Sequence, residues 1–333
     1  MNIPRFRAAL LSWFGVGARD LPWRRTRDPY AIWLSEIMLQ QTRAAAAIPY
    51  YHRFLERFPT FGALACAPES EVLAAWSGLG YYHRARNLRK AAQEIEAAGE
   101  FPAEHGAIRK LPGVGDYTAA AVASIAFGLP HAVLDGNVLR VIARLAADGG
   151  DIGAGLTRRR FQQRADEWLD RRKPGEFNQA MMELGATVCL PRNPQCLLCP
   201  VAAFCEARAA GAQAQYPVKA AKVKPAVANS ELAIVEQAGS LAVRQRQAEA
   251  KRMAGFWELP DNAQFADSLR RVPLGTFTHT IVNTRWNVTV FRVRLRGTAG
   301  LPEGVQWRTR VDLALLPVTT ITKKALALNH DNH

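Results

Sequence analysis

Four of the chain's five cysteines, Cys189, Cys196, Cys199 and Cys205, fall within 17 consecutive positions. Prolines punctuate the same stretch at Pro191, Pro194 and Pro200, so it reads as a loop. Chance rarely crowds thiols in this way. In a reducing compartment four of them suit a tetrahedral sulfur site better than a disulfide framework. The intervals of six, two and five residues fit zinc and an iron–sulfur cluster about equally, so spacing alone does not separate them. The loop has little apolar content of its own, which ties its folding to metal binding. The fifth thiol, Cys66, stands in the apolar run 63–67 and is expected to be a small core residue.

Before this loop the pattern is helical. Residues 3–14, 29–42, 69–76, 84–98, 116–127, 138–147 and 157–169 lack strand alternation and are separated by turn signals such as Gly78-Leu79-Gly80. After it, residues 209–226 shift to alanine, glycine and glutamine and then to Lys219, Lys222 and Lys224-Pro225, an extended basic linker. Beyond the linker the period becomes two. Residues 232–235 and 241–244 flank a glycine-containing turn, and 286–295 alternates with arginines. Short helices are expected near 264–271 and 322–328. The expected organisation is an all-α region over 1–208, a linker over 209–226 and a smaller α+β domain over 227–333. At about 150 residues per domain, a length of 333 fits two.

Charge narrows the partner. The chain carries 43 Lys and Arg against 29 Asp and Glu, a formal +14. From residue 225 onward there are 14 basic and 9 acidic residues, leaving +5 there and +9 on residues 1–224. Both parts are basic, which favours one shared polyanion, most simply nucleic acid. The most apolar stretch, 118–134, is interrupted by Ser124, Pro130 and His131, and residues 1–7 contain no apolar signal core. A soluble, cytoplasmic monomer without a membrane partner is expected, nucleoid-associated in a bacterium.

The sharpest local pattern is Leu111-Pro112-Gly113-Val114-Gly115-Asp116-Tyr117-Thr118-Ala119, between two helical segments. Two glycines one residue apart allow a tight turn and leave N–H groups uncovered at a helix start, a geometry that grips phosphate without reading sequence. Gly-x-Gly by itself is an ordinary connection. Leu-Pro before it and Thr-Ala after it make it a helix–hairpin–helix signature for the DNA backbone.

Two carboxylates are candidates for chemistry. Trp33, Glu36, Ile37 and Gln40 share one helix face, so Glu36 sits among apolar neighbours, where desolvation favours its neutral, proton-donating form. Asp135, in Leu134-Asp135-Gly136-Asn137-Val138, has the plainer role of a helix N-cap open to it. Near a phosphate-binding hairpin, two such groups can divide the work of acid and electrostatic stabiliser.

Together the hairpin, the cysteine spacing, 33–42, Gly78-Leu79-Gly80-Tyr81-Tyr82, 134–138 and Phe177-Asn178-Gln179-Ala180-Met181-Met182-Glu183-Leu184-Gly185 resemble the adenine DNA glycosylases of the MutY type. The likeness runs over residues 5–217. It implies an endonuclease III-like helix–hairpin–helix region whose four cysteines hold a [4Fe–4S] cluster, then a Nudix-like C-terminal domain. It also implies excision of adenine from a double-stranded DNA mispair with 8-oxoguanine or guanine.

By position, Glu36 matches the acid that protonates adenine, and Asp135 the carboxylate that stabilises the cationic sugar. Tyr117 and Asn137 match residues supporting that centre. Gln41 and Tyr81 resemble wedges that fill the base stack when adenine flips out. Arg19 and Arg24 match positions at the pocket or its phosphate approach, Leu21, Trp23 and Gln179 the adenine pocket, and Leu111, Gly113, Val114 and Gly115 the DNA-binding hairpin. Superfamily members that also cut the strand place a lysine where Tyr117 stands, so a monofunctional enzyme leaving an abasic site is expected.

Two departures bear on function. The family reads 8-oxoguanine with a Phe-Ser-His loop, whereas Ile281-Val282-Asn283 occupies the matching place here. Gly255-Phe256-Trp257-Glu258-Leu259-Pro260 resembles the entry to a Nudix box, but the segment after it lacks the glutamate-rich helix that ligates magnesium. The domain is therefore expected to recognise the opposite base rather than hydrolyse nucleotides. The rival readings are a thymine or uracil mismatch glycosylase of the same fold and a non-catalytic damage-binding module.

Overall fold

The computed structural model describes residues 1–220, 225–247, 249–250, 253–266, 268–296 and 300–330. Lys222 and Lys224 of the expected linker, and Asp267 of the expected helix near 264–271, lie outside the described residues. The chain divides into two compact units, Met1–Ala221 and Lys222–His333.

The first unit contains helices α1 (Ile3–Gly17), α2 (Pro29–Leu39), α3 (Ala44–Arg57), α4 (Phe61–Cys66), α5 (Glu69–Ala75), α6 (His83–Ala98), α7 (His105–Lys110), α8 (Asp116–Phe127), α9 (Gly136–Leu145), α10 (Gly155–Trp168), α11 (Pro174–Thr187) and α12 (Glu206–Ala209). Local chemistry starts the central ones. The Asp28 carboxylate accepts from the amides of Tyr30 and Ala31 at 3.1 and 3.3 Å, with Pro29 at the first helical position of α2. Asp135 caps α9 by accepting from the Val138 amide at 2.7 Å. Every residue of α2 from Tyr30 to Met38 is buried, so α2 forms the axis of the unit, with α8 packed against it.

Helix α2 ends three residues before the sequence pattern does. Gln40 (φ −57°, ψ 110°) and Gln41 (φ 61°) form a type II turn, closed by the Thr42 amide on the Leu39 carbonyl at 3.2 Å. Cys66 is exposed, not core: in the six-residue α4, Leu64 and Ala65 face inward and the thiol points out. Helices α3, α4, α7 and α11 add to those read from periodicity; α11 supplies much of the site.

The second unit is α+β. Its strands are β1 (Ala226–Gln237), β2 (Ser240–Gln245), β3 (Trp257–Glu258), β4 (Arg270–Ile281), β5 (Thr284–Arg294) and β6 (Val305–Thr309), followed by α13 (Arg310–Leu315) and α14 (Thr320–His330). The sheet runs β3-β2-β1-β5-β4, with β6 also on β2; β1 and β5 are parallel and the other neighbours antiparallel. Ala238 and Gly239 both take positive φ, the turn geometry that joins β1 to β2 without splaying them. Strand alternation fills two faces. Ile234, Leu241, Val243, Val288 and Val290 pack with Ala325 of α14, and Ala233, Val235, Ala242 and Val293 pack with Phe265.

The helix expected near 264–271 is absent. Among the described residues, Asn262–Phe265 make a single 3-10 turn, and Arg270 and Arg271 at the end of the segment already pair with β5 at the start of β4. The helix expected near 322–328 is present within α14. Among the described residues no helix is long and apolar enough to cross a membrane.

Candidate active site

Glu36 lies in the buried middle of α2 and is 4% exposed. Burial pushes its carboxyl up to about 7. The Tyr117 hydroxyl donates to Oε2 at 2.6 Å and partly opposes that shift, while the nearby charge of Asp135 adds to it and Arg24 subtracts. Tyr117 sits at the second position of α8, immediately after the hairpin, so its phenol ties the start of that helix directly to the acid, beside the Gln40–Thr118 hydrogen bond at 3.2 Å. Its own pKa is driven far upward by burial and by the two carboxylates, which keeps it a donor.

Asp135 is treated differently. Burial leaves its carboxyl above the ordinary value too, but here Oδ1 accepts from the Val138 amide and Oδ2 from the Asn137 side chain at 2.9 Å, and Arg140 adds positive charge, contacts that oppose the shift by favouring the ionised form. Arg140 extends the chain of contacts. It donates to Asn137 Oδ1 at 2.9 Å, to the Gly185 carbonyl at 2.7 Å and to the Cys189 carbonyl at 2.8 Å. Gly185 is required where it stands: a Cβ there would lie 2.6 Å from the Cβ of Asn137. One acid poised near neutrality thus faces a second carboxyl wrapped in donors, the pairing that separates a proton donor from an electrostatic partner.

Arg19 and Arg24 converge on Glu183 of α11. Arg19 binds both carboxylate oxygens at 2.7 Å and Arg24 binds Oε2 at 2.8 Å. Burial pushes Glu183 up, but these hydrogen bonds and charges outweigh it and hold the carboxyl at about 2. Glu183 was not singled out from sequence. The available signal was its place one helical turn after Gln179, which is half-buried on α11. Leu21 and Trp23 are buried between the two arginines, with Trp23 edge-on to Tyr51 at 5.4 Å.

Gln41 and Tyr81, the expected wedges, share an unusual backbone. Both are exposed non-glycine residues with positive φ, at 61° and 48°. Such strain gathers at functional positions. In the hairpin, Leu111 and Val114 are buried, anchoring the turn, and Gly113 has φ 78° with Asn87 where its Cβ would be. Val114 and Gly115 border an open cleft of about 520 Å³ with His105, Arg109 and Lys110. Asp116 lines it too and is ion-paired with Arg109, so Lys110 carries the positive balance that a phosphate contact there would use.

The four clustered cysteines line one pocket together with Arg144, Leu184 and Val201. Burial and the neighbouring sulfurs push the Cys199 thiol up to about 11. A thiol so raised keeps its proton by itself and becomes a thiolate only when a cationic group takes the proton's place among the four sulfurs; Arg144 already donates to Cys189 Sγ at 3.2 Å. The donor set therefore fits an iron–sulfur cluster held by Cys189, Cys196, Cys199 and Cys205, acting as the fastener of the loop. Cys199→Ser is expected to lose broad visible absorbance and to lower soluble yield and DNA affinity. Full absorbance with four unaltered irons per chain in that variant would contradict the assignment.

In the second unit, Ile281 pairs with Thr284 as the last rung of the β4–β5 ladder, leaving Val282 and Asn283 as a two-residue turn. Val282 is 77% exposed with φ 55°, a rare backbone for a β-branched residue. Ile281 is half-buried, so the apolar side chain exposed at the tip is Val282. Asp261, after the Nudix-like entry, spends its carboxylate on capping the short turn at Ala263.

Comparison with known proteins places these features in a family. Residues 34–167 match the model of the HhH-GPD superfamily base excision DNA repair protein, and 189–205 match the iron-sulfur binding domain of endonuclease III. A solved thermostable thymine-DNA glycosylase is 31% identical, with TM-score 0.56 over 62% of this chain and 97% of that one. A trapped endonuclease III–DNA covalent intermediate, 24% identical, shares the fold at TM-score 0.53 over 63% of this chain and 99% of that one. The adenine DNA glycosylase of Arabidopsis thaliana is 38% identical over 77% of this chain and 47% of the relative. The human adenine DNA glycosylase is 33% identical over 97% of this chain and 73% of its own length. At that identity over most of both chains, the protein belongs to the adenine DNA glycosylase family and is a base-excision repair enzyme with a [4Fe–4S] cluster.

Proposed function

We propose that the enzyme hydrolyses the N-glycosidic bond of adenine mispaired with 8-oxoguanine or guanine and leaves an abasic site in an unbroken strand. The observation that carries this is the pair of unlike carboxyls, Glu36 buried and raised to about 7 and Asp135 encased in donors. An N-glycosidic bond breaks through an oxocarbenium-like state, so the departing base needs a proton and the sugar a fixed negative charge. Glu36 delivers the proton to the adenine ring. Asp135 faces the cationic sugar, held in place by Val138 and Asn137. Tyr117 fixes the direction of Glu36, and Gln179, Leu21 and Trp23 shape the base pocket. Base excision on duplexes with adenine opposite 8-oxoguanine, guanine, cytosine or thymine tests the reading. Excision of thymine opposite guanine in preference to adenine would overturn it.

The same reading makes the enzyme monofunctional. A phenol forms no Schiff base, and the nearest lysine, Lys110, borders the hairpin cleft rather than Glu36. Borohydride is expected to trap no stoichiometric enzyme–DNA adduct, and strand breaks are expected only after alkali. Efficient trapping would identify a reactive amine and end the monofunctional assignment.

The β4–β5 tip reads the base opposite adenine, with Val282 as an apolar probe and Asn283 as the remaining polar group. Relative to Phe-Ser-His, Val282 lacks a hydroxyl for the lesion, and one polar contact to a base edge is worth about 1–3 kcal/mol of discrimination. A weaker preference for 8-oxoguanine over guanine is expected than in relatives with the full triplet. Val282→Ser/Asn283→His should raise it, measured as the affinity ratio for the two mispairs. An unchanged ratio would move lesion reading elsewhere.

A further inference from the structure

We propose that Arg84 is a positioning residue that locks the two wedge-bearing turns together, so that Gln41 and Tyr81 enter the DNA stack as one rigid device. The proposal rests on the wedge roles given above to Gln41 and Tyr81. Arg84 lies at the start of α6 and is 4% exposed. Its planar fork is divided between two segments far apart in sequence. Nη1 donates to the carbonyls of Ile37 at 2.8 Å, Met38 at 3.1 Å and Gln40, the end of α2 that leads directly into Gln41. Nη2 donates to Leu79 at 3.1 Å and Gly80 at 3.2 Å, the turn that leads directly into Tyr81. The guanidinium also lies 5.3 Å from the Trp76 ring and 5.7 Å from the ring of Tyr81 itself.

This is an expensive arrangement unless it does something. Among the described residues Arg84 has no carboxylate partner, and its Nε is buried without an acceptor. Desolvation lowers its pKa to about 10. A neutral donor, or an arginine paired with an acid, would hold either turn at lower cost. What only this side chain supplies is one planar group grasping both turns at once. Wedging is where that grip matters. Both wedge residues sit on positive-φ backbone with exposed side chains, and a displaced base pair pushes back on them. Five hydrogen bonds to the backbone immediately behind them oppose that push, and couple them so that neither retreats alone.

The test compares Arg84→Met and Arg84→Lys with Gln41→Ala and Tyr81→Ala. Each is assayed on the adenine–guanine mispair in a duplex and on the same adenine in a single-nucleotide bulge, where little stacking must be broken. Fluorescence of 2-aminopurine beside the target reports opening on binding, independently of excision, and single-turnover rates report the chemistry. Arg84→Met is expected to slow duplex excision on the order of 100-fold, the size associated with misplacement of about 1 Å, and to lose the fluorescence rise. On the bulged adenine the rate should stay within a fewfold of the parent. Adding Gln41→Ala or Tyr81→Ala to it should cost little more.

Arg84→Lys keeps the charge but cannot span both turns, so it should show the same selective loss and carries the test if the methionine variant does not fold. Equal losses on duplex and bulge, or additive losses in the double variants, would make Arg84 a general structural prop and overturn the proposal. So would normal opening in both Arg84 variants. A parent enzyme that opens mispairs yet excises no adenine would instead overturn the functional reading and leave the opening data to decide this one.

Discussion

Glu36→Gln is expected to abolish excision, to leave binding to mispaired DNA intact and to stabilise the fold above neutral pH. The three effects share one cause. A carboxyl that is 4% exposed on an otherwise apolar helix holds its proton to about pH 7 instead of 4.5. The folded state thus binds the proton more tightly than the unfolded chain. Any contribution of Glu36 to stability is complete below pH 4.5 and is lost as pH rises through 7, a penalty of about 3 kcal/mol at 1.36 kcal/mol per unit. Glutamine removes the ionisation and keeps an acceptor for the Tyr117 hydroxyl, so at pH 8 the variant should melt higher than the parent. The parent's single-turnover rate should fall as pH rises through about 7, as the acid form is depleted. Single-turnover excision, mispair binding and thermal melting at pH 6 and 8 check all three. A near-normal rate in Glu36→Gln would remove Glu36 from the chemistry, and equal melting at pH 8 would show that its burial costs less than its surroundings imply.

What was legible in the sequence was what the chain writes locally. The hairpin glycines, the four cysteines and the caps Asp28 and Asp135 each act through neighbours within a few positions, so spacing carries their meaning. Glu36 was legible because a carboxylate interrupting an apolar helix face is itself an anomaly. The residues that went unseen act across the fold. Glu183 meets Arg19 over 164 positions, and no local pattern distinguishes it from a surface glutamate. Arg84 reads as one more arginine of a basic helix until the turns that it grips are brought beneath it. Cys66 failed for the opposite reason. An apolar run suggested burial, but a six-residue helix has one inward face, and Leu64 and Ala65 occupy it. The 264–271 segment went the same way at its end, where Arg270 and Arg271 are drawn into the β4–β5 ladder.

Asp135→Asn is expected to reduce excision on the order of 100- to 1,000-fold, the loss that follows removal of one preorganised electrostatic contact at a transition state. The substitution separates two functions that one side chain performs. As the N-cap of α9 it needs only an oxygen for the Val138 amide, and asparagine caps about as well as aspartate. The α9 cap should therefore hold and the protein should fold. As the counter-charge to a cationic sugar it needs the second oxygen and a full negative charge, and an amide has neither. The amide also turns an acceptor into a donor facing Asn137 Nδ2. Asn137 cannot simply flip to meet it, because its own oxygen is held by Arg140 at 2.9 Å. The damage should therefore appear in the single-turnover rate, not in affinity for DNA. Asp135→Ala should lose the cap as well, about 1 kcal/mol of stability, and so melt below the asparagine variant at a similarly low rate. If Asp135→Asn excised adenine within a fewfold of the parent, the sugar cation would have to be met by another anion, and the pairing of unlike carboxyls with Glu36 would not be the catalytic arrangement.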